Sequence, residues 1–84
     1  MVAVTLYTRV GCHLCDDVKD TLDRVRRDRD FDLSVVDVDT DPALVTLYGN
    51  EVPVVSVAGR KAFKYRVDEG AFRAALDRAE AAVA

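Results

Sequence analysis

The sequence predicts an α/β domain with the element order β-α-β-α-β-β-α. Three observations lead there. An uncharged, β-branched run opens the chain, a helical repeat separates it from a second apolar run, and two more short runs meet at a glycine turn before a last capped helix. Eighty-four residues allow one domain, 1–84, and leave no room for a second.

The opening run Val2-Ala3-Val4-Thr5-Leu6-Tyr7 carries no charge and is too short for a buried helix, so it reads as a central strand. Gly11 ends it. From His13 to about Arg27, Leu14, Val18, Leu22 and Val25 recur at helical spacing with Asp and Arg on the opposite face. Asp20–Arg24 and Asp23–Arg27 stand in the favourable acid-before-base order and are expected to pair. Phe31, Leu33, Val35 and Val36 give a second strand ending near Asp37, which makes the first helix a right-handed crossover between parallel strands.

Asp41-Pro42 reads as a helix start, because Asp accepts from the free amides there and Pro lacks an N–H that would be unpaired anyway. Leu44, Leu47 and Tyr48 are expected on its inner face, with Gly49 as its stop. Pro53 to Val57 is the third strand, and Ala58-Gly59 turns the chain into Lys61 to Tyr65, the fourth. Asp68 caps a last helix with Phe72, Ala75, Leu76 and Ala79 as its buried stripe. Val67 and Phe72 hold the two positions of a hydrophobic staple around that cap.

Half the residues are apolar and about a third charged, the composition of a folded water-soluble chain. Twelve basic against fifteen acidic residues give a net charge of −3, the wrong sign for a general nucleic-acid or anionic-membrane binder. The run Arg24 to Asp30 alternates in sign without interleaved aromatics and is expected to be a solvated helix end. Met1 to Thr8 alternates like a strand and lacks the plan of a secretory leader, and no stretch has the ~20 apolar residues of a membrane span. A cytoplasmic monomer is the expectation.

Cys12 and Cys15 are the whole cysteine inventory and enclose only His13 and Leu14. A bridge closing so small a loop removes little unfolded-state entropy, so chemistry explains the pair better than stability does. Cys12 falls at the start of the first helix, where unpaired amides and the helix dipole favour a thiolate. Cys15 falls one turn deeper on the same face, within disulfide reach. The pattern is that of a redox dithiol, Cys12 attacking and Cys15 resolving. His13, if protonated, would support the thiolate, whereas Asp16 one turn below would oppose it. Zinc is not expected, since Cys12, Cys15 and His13 supply at most three local ligands.

Leu6-Tyr7-Thr8-Arg9, Gly11-Cys12-His13-Leu14-Cys15, Asp41-Pro42 and Val52-Pro53-Val54 together resemble a glutaredoxin, closest to small bacterial members with a Gly-Cys-His-Leu-Cys motif. The resemblance spans essentially the whole chain. It implies the minimal thioredoxin fold, with a four-stranded mixed sheet ordered 2-1-3-4 and helices on both faces. It also implies a cis Val52–Pro53 bond beside the cysteines, with the Val52 backbone open to an extended substrate. By the same resemblance Arg9 would receive the glycine carboxylate of glutathione.

Two departures accompany it. Where thioredoxins carry an acid six residues before the first cysteine, this chain has Leu6. Where glutathione-using glutaredoxins carry Gly-Gly after the fourth strand, it has Tyr65-Arg66 followed by Val67-Asp68. That Tyr-Arg-x-Asp segment resembles the glutaredoxin-like electron donors of ribonucleotide reductase, which are reduced by thioredoxin reductase. The expected function is therefore reduction of disulfides in proteins or small molecules, with electrons from glutathione or thioredoxin reductase and no bound cofactor. The alternatives are an iron–sulfur carrier, in which Cys12 and glutathione thiols hold a cluster between two chains, and an inert module with vestigial cysteines.

Overall fold

A computed structural model describes residues 1–83. The elements run β1 (Ala3–Thr8), α1 (His13–Arg26), β2 (Asp32–Asp37), a 3-10 turn (Val38–Thr40), α2 (Pro42–Tyr48), β3 (Val54–Val57), β4 (Arg60–Lys64) and α3 (Glu69–Val83). They follow the predicted order, with the short 3-10 turn as the one unpredicted piece. The sheet is ordered β2-β1-β3-β4. β1 is parallel to β2 and antiparallel to β3, and β3 is antiparallel to β4. This is the mixed sheet the resemblance implies.

Alternation along β1 sets the two faces. Val4 and Leu6 join Val18, Leu22 and Val25 of α1 and Phe72 and Leu76 of α3 in one buried cluster. Phe72 sits at its centre, edge-on to Phe31 at 5.4 Å and to Phe63 at 6.2 Å. Tyr7, next along the strand, turns to the other face and meets Tyr48 of α2 with ring centroids 4.5 Å apart. Asp41 accepts from the Ala43 amide at 2.9 Å and Asp68 from the Ala71 amide at 2.8 Å, so both predicted caps form.

Three local expectations are corrected: the burial of Leu47, the ion pairs along α1 and the solvated state of the charge run. Leu47 is exposed, whereas Leu44, Val45 and Tyr48 are half-buried. The Tyr7–Tyr48 contact rolls this two-turn helix so that positions 44, 45 and 48 share the inner face. Gly49 does end α2, as its C-cap, but stays right-handed (φ −54°), and what its position lacks is space, since a Cβ would come within 2.5 Å of the Val45 carbonyl oxygen.

The expected Asp20–Arg24 and Asp23–Arg27 pairs give way to other partners. Arg24 reaches Glu69 of α3 at 2.8 Å, and Asp23 is met by Lys19 at 3.7 Å. The charge run after α1 is more than a solvated end. Asp28 takes Arg73 at 2.8 Å, and Arg29 lies between Asp77 (2.9 Å) and Glu80 (3.3 Å). These ties fasten the last turn of α1 and the residues that follow it to α3, from its first residue Glu69 along to Glu80.

Candidate active site

The chain leaves β1 through a turn closed by the Cys12 amide donating to the Arg9 carbonyl at 3.1 Å. Gly11 takes φ +83° there, with nothing within 4 Å of a would-be Cβ, so the backbone angle rather than space calls for glycine. Cys12 follows in extended conformation as the N-cap of α1, and its sulfur accepts from the Cys15 amide at 3.2 Å. Sulfur thus holds the place that a Ser or Asp oxygen usually takes. Cys12 and Cys15 form a disulfide with Cα atoms 5.3 Å apart. Cys12 is half-buried, and Cys15 behind it is only 5% exposed.

The Val52–Pro53 bond is cis. Pro53 is fully buried at the start of β3, and its carbonyl accepts from the Tyr65 amide at 2.8 Å, tying the loop before β3 to the end of β4. Val52 stays half-buried at the rim. Tyr65 has φ +69°, a left-handed angle in the stretch where the family pattern carries glycines. The turn survives without the residue that makes it easy. His13 is exposed on the first turn of α1.

Leu14, Asp17 and Thr21 of α1 face Tyr65, Arg66 and Val67 across an open groove of about 350 Å³. Topology gathers Val10, Leu14 and Tyr65 at this end of the sheet, and all three are exposed, Val10 at 88%. Exposed apolar side chains gathered at one end of a sheet suit contact with a macromolecule.

Arg9 does something the sequence does not announce. Its Nε lies 3.1 Å from both carboxylate oxygens of Asp39, its Nη2 is 2.8 Å from Oδ1, and its Nη1 donates to the Gly49 carbonyl at 3.0 Å. The hydrogen bond from Arg9 holds the Asp39 carboxyl below its ordinary value, against a smaller opposing effect of burial. The expected carboxylate receiver is therefore engaged within its own chain, by an acid 30 residues away. Spacing gives no hint of Asp39, whereas Tyr65 was signalled by the displaced glycines. Among the described residues no group of three or more His, Cys, Asp or Glu side chains gathers as a metal would require. No helix among them is long and apolar enough to cross a membrane.

A four-stranded mixed sheet with a Cys-x-x-Cys at the first helix and a cis-proline before the third strand defines a thioredoxin-fold protein. Residues 3–77 match the Glutaredoxin-like domain (DUF836), and the chain belongs to that family. An uncharacterised protein of Mycobacterium tuberculosis is 35% identical over 80 residues, covering 89% of this chain and 82% of that one. Among solved structures, a protein of X. campestris is 37% identical with a TM-score of 0.72, covering 89% of this chain and 96% of that one. Ne2328 of Nitrosomonas europaea superposes with a TM-score of 0.77 at 28% identity, covering 87% and 88% of the two chains. A thioredoxin of Halobacterium salinarum shares the fold at 21% identity, with a TM-score of 0.69 over 92% of this chain and 73% of that one.

Proposed function

We propose that the chain is a thiol–disulfide oxidoreductase, with Cys12 the attacking and Cys15 the resolving thiol. One observation carries this reading: the Cys12 sulfur caps α1 at the accessible rim, bonded to a partner one turn deeper. In the reduced chain the amides that meet the sulfur favour the thiolate.

The Cys12 thiolate attacks one sulfur of a substrate disulfide. A bond forms between Cys12 and that sulfur while the second substrate thiolate leaves and takes a proton from water. Cys15, deprotonated in its turn, attacks the Cys12 sulfur and expels the first substrate thiolate. Two electrons have passed to the substrate, and the chain is left with the Cys12–Cys15 disulfide. Two thiols of an external reductant, glutathione or a thioredoxin-reductase dithiol, reverse the process. The Val52 backbone and Pro53 shape the rim against which an extended substrate pairs, and His13 contributes positive charge beside Cys12 when protonated.

The test measures reduction of an insulin disulfide by wild type, Cys12→Ser and Cys15→Ser, with glutathione and its reductase or with thioredoxin reductase as electron source. Turnover is expected in wild type, none in Cys12→Ser, and a trapped mixed disulfide, visible by mass, in Cys15→Ser. Equal rates for wild type and Cys12→Ser would overturn the proposal, and the better electron source identifies the reductant.

A further inference from the structure

We propose that Asp39 sets the charge preference of this site: by holding the Arg9 guanidinium it withholds that cation from anionic thiols and leaves the surroundings of Cys12 suited to neutral or cationic disulfides. The inference rests on the oxidoreductase reading and narrows its substrate class.

Arg9 lies three residues before the nucleophile, and its carbonyl anchors the Cys12 amide. That bond makes Arg9 the arginine held nearest to Cys12 along the chain, so its charge is the one to account for first. All three guanidinium nitrogens already have partners, two on Asp39 and one on the Gly49 carbonyl. A carboxylate arriving from solution meets a cation whose charge is already paired, and it competes for the fork with one of identical chemistry tethered in place, at a far higher effective concentration than a free ligand.

The other nearby charges do not restore an anion site. Arg66 lines the groove, but Asp17 lines it too. Asp16 is exposed in the first turn of α1, four residues after the capping cysteine. An anion approaching Cys12 therefore finds two cations each accompanied by an acid, one further acid, and His13. A neutral or cationic disulfide meets no such obstacle and can use the apolar rim of Val10, Leu14 and Tyr65.

The chemistry is the exchange written above, so charge alone is varied. Pre-reduced protein is oxidised in single turnover by oxidised glutathione (anionic), 2-hydroxyethyl disulfide (neutral) and cystamine (cationic). Each rate is divided by that of dithiothreitol with the same disulfide, then by the variant's own rate with the neutral one, which cancels any general loss from imperfect folding. Wild type is expected to favour cystamine and disfavour oxidised glutathione. Asp39→Asn should raise the relative rate with oxidised glutathione by about threefold to fivefold, an effect that shrinks in about 0.5 M salt. Adding Arg9→Gln to Asp39→Asn should abolish the gain.

An unchanged ratio in Asp39→Asn, or a gain that survives removal of Arg9, would overturn this inference while leaving the oxidoreductase reading intact. If wild type reduces none of the three faster than Cys12→Ser does, the oxidoreductase reading falls, and this inference falls with it.

Discussion

The Cys15 amide donates to the Cys12 sulfur at 3.2 Å, so the residue proposed to resolve the mixed disulfide also supplies an N–H to the residue proposed to attack. The contact exists because position 12 caps α1 and position 15 is its third helical residue, the spacing at which a cap side chain meets a free amide.

The first prediction follows from this contact. In the reduced protein, alkylation of Cys12 by iodoacetamide should titrate below the range of a free thiol, because helix amides stabilise its thiolate. Cys15, 5% exposed, should react far more slowly. Rates against pH, with the modified residue identified by mass, provide the check. A Cys12 midpoint at the free-thiol value would show that the helix amides leave the sulfur unaffected.

Phe72 is fully buried between Phe31 and Phe63. Phe72→Ala removes the centre of the shared core and should cost about 3–5 kcal/mol, much of the stability of so small a domain. Phe72→Leu keeps most of the volume and should cost less. Urea midpoints of the two variants test the order.

Ala58 has φ +53° in the turn between β3 and β4, a conformation that disfavours a residue with a Cβ. Ala58→Asn should raise stability by about 0.5–1 kcal/mol, since Asn tolerates this region better. A lower urea midpoint for Ala58→Asn would contradict this.

Acid should loosen the helix pair. The Arg73 hydrogen bond draws the Asp28 carboxyl below its ordinary 3.8, and the Arg24 hydrogen bond draws Glu69 below its ordinary 4.5, each against a smaller opposing effect of burial. A carboxyl with a lower value when folded takes up its proton first in the unfolded chain. Its stabilisation is complete above the ordinary value and is lost as pH falls through the folded one. Thermal midpoints should hold steady down to about pH 5 and then decline, less steeply in Asp28→Asn, which has lost one such group.

Much of this architecture was legible because its signals are local. The capping Asp41 and Asp68, the uncharged first strand and the Cys-x-x-Cys at a helix start each depend on neighbours a few residues away. What escaped notice depends on partners far along the chain. Arg24 chose Glu69 over Asp20 because α3 passes close by, a fact that helical spacing does not contain. Leu47 faces out because the Tyr7–Tyr48 contact, 41 positions apart in sequence, decides how α2 rolls. The cis bond and the left-handed Tyr65 were approachable only through family resemblance, since neither dipeptide composition nor periodicity specifies them.

The unequal accessibility of the two sulfurs would give the proposed exchange a single doorway. On that reading an outside reagent meets the outer atom first, reduction and oxidation both begin there, and a group lodged on it halts traffic in both directions until the inner thiol or a reductant clears it.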